Sequence, residues 1–188
     1  MSATATDVMT LDEFRALPED VDVVRELLEG RLVESRMTRG NRWHAEVEAA
    51  IAGHLRNWVA GRSPRPGRVF SGEVGCDLPN VESGVGIDVA FFCNEVLERQ
   101  PKTARFLVGP PVLAVEILSS REVIDDLHDK VEIYLRAGVK SVWVVDPRFR
   151  TLTEYRSDAK PRMYVEGNVV QGGPHLPGLK FEMSSLFE

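Results

Sequence analysis

The feature that most constrains the fold is an apolar run, PPVLAVEILS (residues 110–119), in which the only charged side chain is Glu116. Such a run is typical of a central strand that is covered on both faces. A segment with helical spacing follows it and ends at Gly138, and a second apolar run, KSVWVVDP (140–147), comes next. The helix is expected to bury Ile124, Leu127, Val131 and Leu135. This strand–helix–strand unit predicts two parallel strands joined by a right-handed crossover.

The remaining segments predict a mixed α/β fold built around that unit. Upstream we expect a short helix capped by Thr10, a hairpin turning at Glu29-Gly30, a helix between Asn41 and Gly61, and strands RVFSGEVGCDL (68–78) and VGIDVAFF (85–92). Downstream we expect a strand, RTLTEYR (150–156), and a hairpin, RMYVEGNVVQGG (162–173), turning at Gly167-Asn168. The order α-β-β-β-α-β with an added hairpin at each end fits one domain of 188 residues.

Composition narrows the function classes. The net charge of −6 argues against a protein that coats nucleic acid without specificity. Residues 35–70 nevertheless carry seven arginines, and these could contact a phosphate backbone or form an ordinary solvated surface. Cys76 and Cys93 make neither a disulfide framework nor a metal knuckle. Because the chain shows neither a secretory signal nor a membrane span, we expect a cytoplasmic protein with no membrane partner.

Two acids within apolar strands need an explanation. Asp88 lies in GIDVAFF and Glu116 in VLAVEILS. Burying an unpaired carboxylate costs several kcal/mol, so each acid requires a cationic partner, a metal or a raised pKa. If the two strands are neighbours, the carboxylates can face each other and share Mg²⁺ or Mn²⁺, which prefer oxygen ligands. The alternative is that each acid is paired with a nearby arginine or caps a backbone amide.

A cation near these acids is predicted on the following helix. Lys130 forms one helical stripe with Asp126 and Tyr134, so it either serves the site or makes an ordinary surface pair with Asp126. His44, one helical turn before Glu48, is a weaker candidate for the edge of the site. Three further acids could complete a metal shell: Glu46, Glu48 and Glu73. The three tryptophans, Trp43, Trp58 and Trp143, fit core positions better than a platform for stacking bases.

Taken together, these motifs resemble a bacterial family described as "putative restriction endonucleases" within the PD-(D/E)xK nuclease superfamily. The resemblance rests on GIDVAFF, VLAVEILSS, the D-x-x-x-K helix ending YLRAGV, SVWVVDP and the upstream LLEGRLVES, and it spans about residues 24–155. It departs at Ile87, where the family has proline, and at Ser120-Arg121, where the family has Pro-Ser. Neither departure removes an acid or the lysine.

The resemblance implies a restriction-endonuclease-like core that uses Mg²⁺ or Mn²⁺ to hydrolyse DNA. It implies that Asp88 and Glu116 are the catalytic, metal-binding acids, that Lys130 is the displaced signature lysine, and that Asp126 is its companion. His44 would lie at the edge of the site, and a homodimer would suit cleavage of both strands. Two alternatives stay open: a nuclease scaffold that only binds nucleic acid or protein, and a structural Glu116–Lys130 ion pair.

Overall fold

The computed structural model describes residues 8–18, 20–36, 41–119 and 124–188. Its helices are α1 (Leu11–Arg15), α2 (Arg42–Ala60), α3 (Asn94–Glu98) and α4 (Ile124–Ala137), with 3₁₀ turns at Pro79–Val81 and Met183–Leu186. Its strands are β1 (Val23–Leu28), β2 (Arg31–Arg36), β3 (Gly67–Leu78), β4 (Ser83–Cys93), β5 (Leu107–Val108), β6 (Leu113–Ile117), β7 (Ser141–Asp146), β8 (Thr151–Arg156), β9 (Ala159–Tyr164), β10 (Val169–Gln171) and β11 (Lys180–Glu182).

A mixed sheet organises the described chain. Its strands follow the order β2-β1-β4-β6-β7-β8-β9, and β3 pairs with both β4 and β5. The β6 and β7 strands are parallel, with Leu113 opposite Ser141 and Ile117 opposite Val145. The predicted strand–helix–strand unit with parallel strands is therefore confirmed. The β4 and β6 strands are antiparallel neighbours, which places the strands of Asp88 and Glu116 side by side.

Helices cover both faces of the sheet and produce two apolar cores. Val115 and Ile117 of β6 pack in the core that α2 covers through Ile51 and Leu55. Ala114 of β6 packs in the other core, which α4 covers with Leu127, Val131 and Tyr134. Side chains alternate across a strand, so the apolar run of β6 can serve both cores at once. Within this run Glu116 is a buried polar residue, 4% exposed.

A β-bulge in β3 shapes the sheet next to Asp88. Ser71 pairs with Val89, but the next pair is Val74 with Ile87, so β3 contains one extra residue here. Gly72 and Glu73 accommodate it with positive φ angles of 91° and 50°. Bulges bend a strand and increase its twist. The distortion therefore lies directly across from the acid of β4.

Several local predictions are confirmed and others are corrected. Thr10 and Glu13 form the capping box of α1, and Glu29-Gly30 form the turn of the β1–β2 hairpin. The predicted hairpin at 162–173 is wrong, because β9 pairs with β8 whereas β10 pairs with β11. A turn does form near Asn168, whose side chain accepts a hydrogen bond from the Val165 N–H, but the chain after it does not fold back onto β9. Ser119 and Glu122 have the spacing of a capping box for the start of α4, but Glu122 lies outside the described residues.

The core assignment of the tryptophans is correct for two of the three. Trp143 is fully buried and Trp58 is 7% exposed, but Trp43 is 53% exposed. It lies in the first turn of α2, whereas the buried stripe of this helix begins at Val47. Cys76 and Cys93 are both free thiols, as expected. In the described part of the chain, no helix is both long and apolar enough to span a membrane. The single-domain assignment stays a prediction.

Candidate active site

Asp88 lies where β4 and β6 separate. The residue pairs of the β4–β6 ladder run from Phe91–Leu113 to Val89–Val115. One residue further, the Oδ2 atom of Asp88 accepts a hydrogen bond from the backbone N–H of Ile117 at 2.7 Å. The carboxylate thus takes the place of a backbone acceptor and satisfies a buried donor. This bond fixes Asp88 next to Glu116, the residue before Ile117.

The first turn of α2 brings His44 to Asp88. The helix begins after Asn41, whose Oδ1 atom caps it by accepting a bond from the His44 N–H at 3.0 Å. The His44 Nε2 atom lies 3.3 Å from Asp88 Oδ1 and 3.9 Å from Glu48 Oε2. Burial and the nearby charge of Asp88 raise the pKa of Glu48. A second carboxyl group therefore adjoins Asp88.

Two side chains of α4 hold the Glu116 carboxyl group. Lys130 Nζ lies 3.1 Å from Glu116 Oε2, and the hydroxyl of Tyr134 donates to Oε1 at 2.6 Å. Lys130 and Tyr134 are one turn apart on the buried face of the helix, so both reach the same strand residue. The predicted stripe of α4 is confirmed for these two residues. Asp126 belongs to the same helix, but its side chain lies outside the described residues.

Glu26 of β1 completes the cluster, although the sequence did not predict it as a site residue. Its Oε1 atom lies 3.0 Å from Lys130 Nζ and also accepts a bond from the Gly86 N–H at 3.0 Å. Lys130 donates a further bond to the Gly86 carbonyl at 3.3 Å. The only signal for Glu26 was an acid within a half-buried hairpin strand. Glu34 of the same hairpin has the same signal but pairs with Arg25 near the surface, so the signal alone does not separate the two.

The electrostatics of the cluster leave an excess of negative charge. Burial raises the pKa of Glu116 to about 8; Lys130 and Tyr134 oppose this shift, whereas Asp88 and Glu26 add to it. Burial disfavours the charged form of Lys130, but Glu116 and Glu26 outweigh it and raise its pKa above the ordinary value. Lys130 therefore remains an ammonium group. Lys130 contacts two of these three carboxyl groups, Glu116 and Glu26, and a further positive charge would stabilise the ionised forms.

The donor chemistry of this cluster fits a hard divalent cation. Among the described residues, no group of three or more His, Cys, Asp and Glu side chains has the arrangement of a complete metal site. Mg²⁺, however, is commonly bound by one or two carboxylates, with water and substrate phosphates as its other ligands. Each oxygen of a carboxylate can accept more than one bond, so the contacts from Ile117, Lys130 and Tyr134 do not exhaust Asp88 and Glu116.

The structure brings together four of the predicted site residues: Asp88, Glu116, Lys130 and His44. Among the described residues neither acid is paired with an arginine, but the other structural alternative, an acid that caps a backbone amide, is met by Asp88, which accepts the Ile117 N–H. The alternative of a structural Glu116–Lys130 ion pair does exist as a contact. Of the further acids, Glu48 lies beside Asp88 and interacts with Glu73, whereas Glu46 lies on the rim of a separate pocket.

The described arginines of residues 35–70 do not form one patch. Arg62 stacks on Trp58, with its guanidinium carbon 4.4 Å from the ring centroid, and donates a hydrogen bond to the Pro177 carbonyl. Arg42 stacks on Trp43 at the opposite end of α2, 3.9 Å from the ring centroid. A helix rises about 1.5 Å per residue, so these two arginines are separated by most of the length of α2.

Comparisons with known proteins agree with the fold. Residues 11–184 match the model of a family described as "Uma2: Putative restriction endonuclease". Among solved structures, the chain is similar to a protein from Anabaena variabilis described as "a putative nuclease belonging to DUF820". The two share 21% sequence identity with a TM-score of 0.78, over 95% of this chain and 97% of the other. Among curated proteins, no significant match is found.

Proposed function

Since the chain belongs to the Uma2 family of restriction-endonuclease-like proteins, we propose that it is a Mg²⁺- or Mn²⁺-dependent endonuclease that hydrolyses phosphodiester bonds in DNA. One observation carries the proposal: carboxyl groups from two adjoining strands, Asp88 and Glu116, lie in a single cluster with an ammonium group, Lys130. The raised pKa of Glu116 also supports it: burial is the main cause, Asp88 and Glu26 add to the shift, and a bound cation would stabilise the ionised carboxyl group.

In this proposal Asp88 and Glu116 hold the divalent ion. When bound, such an ion polarises a phosphoryl oxygen and lowers the pKa of bound water. Lys130 stays protonated, so its part is electrostatic: it orients the attacking water or stabilises the charge that develops on the phosphate. His44 keeps Asp88 in position from α2. Tyr134 and Glu26 are positioning residues, because they act through Glu116 and Lys130 rather than on the substrate.

The proposal also covers the assembly, the location and the domain organisation of the protein. Cleavage of both strands of a duplex favours a two-fold symmetric homodimer, and DNA as substrate fits a cytoplasmic protein with no membrane partner. Asp126 is proposed as a companion of Lys130 on the strength of the family pattern. We further propose that all 188 residues form one domain.

The competing function is that of a binding protein or a stable scaffold. It is favoured by one observation, namely that both oxygens of Glu116 already contact the chain's own Lys130 and Tyr134. A buried ion pair of this kind can exist without any metal. The two functions therefore differ in whether the carboxyl groups bind a divalent ion and whether DNA is cut.

Calorimetric titration with Mn²⁺, together with plasmid nicking, separates these functions. Wild type should bind Mn²⁺ and nick plasmid DNA, and Asp88→Asn and Glu116→Gln should lose both properties. Lys130→Met should lose nicking even where Mn²⁺ still binds. Asp77→Asn is the matched control, because Asp77 is a buried strand acid that is paired instead with Arg15 at 2.6 Å. Mn²⁺ binding without nicking would favour the binding protein, and neither property in wild type would favour the scaffold.

A further inference from the structure

A pocket of about 730 Å³ is bounded by elements that also carry the candidate active site. The first turns of α2, Leu118 directly after β6, and the turn between β7 and β8 bound it. The same elements build the candidate site, because α2 carries His44 and because Leu118 follows Ile117, the residue whose N–H binds Asp88. A ligand in this pocket would therefore contact α2 and the end of β6, the elements that carry His44 and Glu116.

An exposed aromatic ring forms one wall of the pocket. Trp43 lines it and leaves 53% of its surface exposed. The guanidinium group of Arg42 lies 3.9 Å from the centroid of its ring. Exposing such a large apolar side chain is unfavourable in water, and exposed aromatic rings are the usual platforms on which unpaired bases stack.

Two arginines, Arg148 and Arg150, also line the pocket. The turn that carries them is fixed by Asp146, whose Oδ1 atom accepts bonds from the N–H groups of Arg148 and Phe149 at 2.8 and 3.2 Å. The Nε atom of Arg150 is buried and has no hydrogen-bond partner in the described part of the chain. Its Nη2 atom lies 3.8 Å from Glu166, and both side chains are largely exposed, so this pair is weak. An anion in the pocket would therefore meet the exposed Arg148 side chain and the partly exposed side chain of Arg150, whose guanidinium carbon lies 5.1 Å from the centroid of the Phe187 ring.

The rest of the lining supplies a floor and a polar rim. Val47, Leu118 and Pro147 are apolar, whereas Asn41 and Glu46 add an amide and a carboxylate. An aromatic wall, an apolar floor, hydrogen-bonding groups and paired arginines are the features that hold a nucleotide, with its base stacked and its phosphate on the cations.

We propose that this pocket binds one unstacked nucleotide of the substrate strand, next to the phosphate that is cut. The proposal rests on the nuclease function above and specifies its substrate class. A base inside a duplex is stacked and paired, and extruding it costs a few kcal/mol. The protein therefore prefers single-stranded or locally unpaired DNA to intact duplex.

Binding measured in a metal chelator tests the pocket without cleavage. The probes are a short fluorescein-labelled oligothymidylate and the same strand annealed to oligodeoxyadenylate. Wild type should bind the single strand more tightly, and this binding should quench the fluorescence of Trp43, the exposed tryptophan. Trp43→Ala and Arg148→Ala should each weaken binding of the single strand about 5- to 150-fold, and Trp43→Phe should retain most of the affinity.

Two surface variants serve as matched controls. Phe149→Ala removes a 73% exposed ring from the same turn, and Arg162→Ala removes an exposed arginine on β9; neither residue lines the pocket. Both variants should bind oligothymidylate as wild type does. Unchanged binding by Trp43→Ala and Arg148→Ala, or equal affinity for duplex and single strand, would overturn the pocket assignment. The nicking assay reports separately on the nuclease function, so the two proposals can fail independently.

Discussion

At the scale of single residues, the ionisation of Glu116 couples the candidate site to stability. Its pKa in the folded protein is about 8, against an ordinary value of 4.5. The folded state thus keeps this proton to a higher pH than the unfolded state does, and its contribution is fully present below pH 4.5 and lost as the pH rises to about 8. In chelator, the unfolding free energy of wild type should fall through this window relative to that of Glu116→Gln.

Urea denaturation across the window measures this difference. Lys130 does not mask it, because its pKa is raised from 10.5 and it stays charged throughout. The Asp77→Asn variant should keep the wild-type pH dependence, since it leaves Glu116 in place. Parallel stability curves for wild type and Glu116→Gln would contradict the assigned burial of an ionisable carboxyl group.

Loss of Lys130 should lower the unfolding free energy strongly. Replacing it with methionine leaves the buried Glu116 and the partly buried Glu26 without their shared cation. Removing one partner of a buried ion pair typically costs about 3–5 kcal/mol of unfolding free energy. Lys140→Met, at an exposed position, should change it by less than about 0.5 kcal/mol.

A double-mutant cycle checks that the loss arises from the pair. Above about pH 8, where Glu116 is ionised in the wild-type protein, adding Glu116→Gln to Lys130→Met removes the uncompensated carboxylate of Glu116 and should recover part of the lost stability. Urea denaturation of the four proteins gives the coupling energy directly. Strictly additive effects would show that Lys130 and Glu116 do not interact.

At the scale of elements, the start of α2 connects helix stability to the site. Asn41 caps this helix through the N–H of His44, which in turn contacts Asp88. Asn41→Ala should lower the unfolding free energy by about 1 kcal/mol and should also weaken Mn²⁺ binding. Thr10→Ala removes the comparable cap of α1, far along the chain from these acids, and should lower stability alone. Equal effects of both variants on Mn²⁺ binding would contradict the positioning role of α2.

Local chemistry made some elements predictable from the sequence. The caps at Thr10 and Asn41 and the turn at Glu29-Gly30 depend on neighbouring residues, so their patterns identified α1, α2 and the first hairpin. The partner of β10 was not predictable in this way. Its pairing with β11 depends on residues separated by an intervening loop, and the turn at Asn168 does not determine which strand follows it.

The contrast between local sequence patterns and contacts between distant segments also holds for the candidate site. Asp88 and Glu116 are conspicuous because each interrupts an apolar strand, and Lys130 follows within the next helix. Glu26 lies on the hairpin and reaches Lys130 only because β1 packs beside β4 in the sheet. The sequence likewise does not show that Trp43 lies outside the buried stripe of α2, since its spacing from Val47 is helical.

At the scale of the whole molecule, the sheet order assembles the site from distant segments. The β1, β4 and β6 strands are consecutive in the sheet, and each contributes one acid. The α2 helix supplies His44 from one side and α4 supplies Lys130 from the other. The similarity to the Anabaena variabilis protein over 95% of the chain shows that the two proteins share this fold.

Anomalous diffraction from a crystal soaked in Mn²⁺ shows whether Asp88 and Glu116 together bind a divalent ion. We expect a peak bonded to carboxylate oxygens of both Asp88 and Glu116 in the wild-type protein, and no peak there in Glu116→Gln. A crystal whose anomalous peaks avoid both acids, with the Glu116–Lys130 contact unchanged, would contradict the account and leave the cluster a structural ion pair.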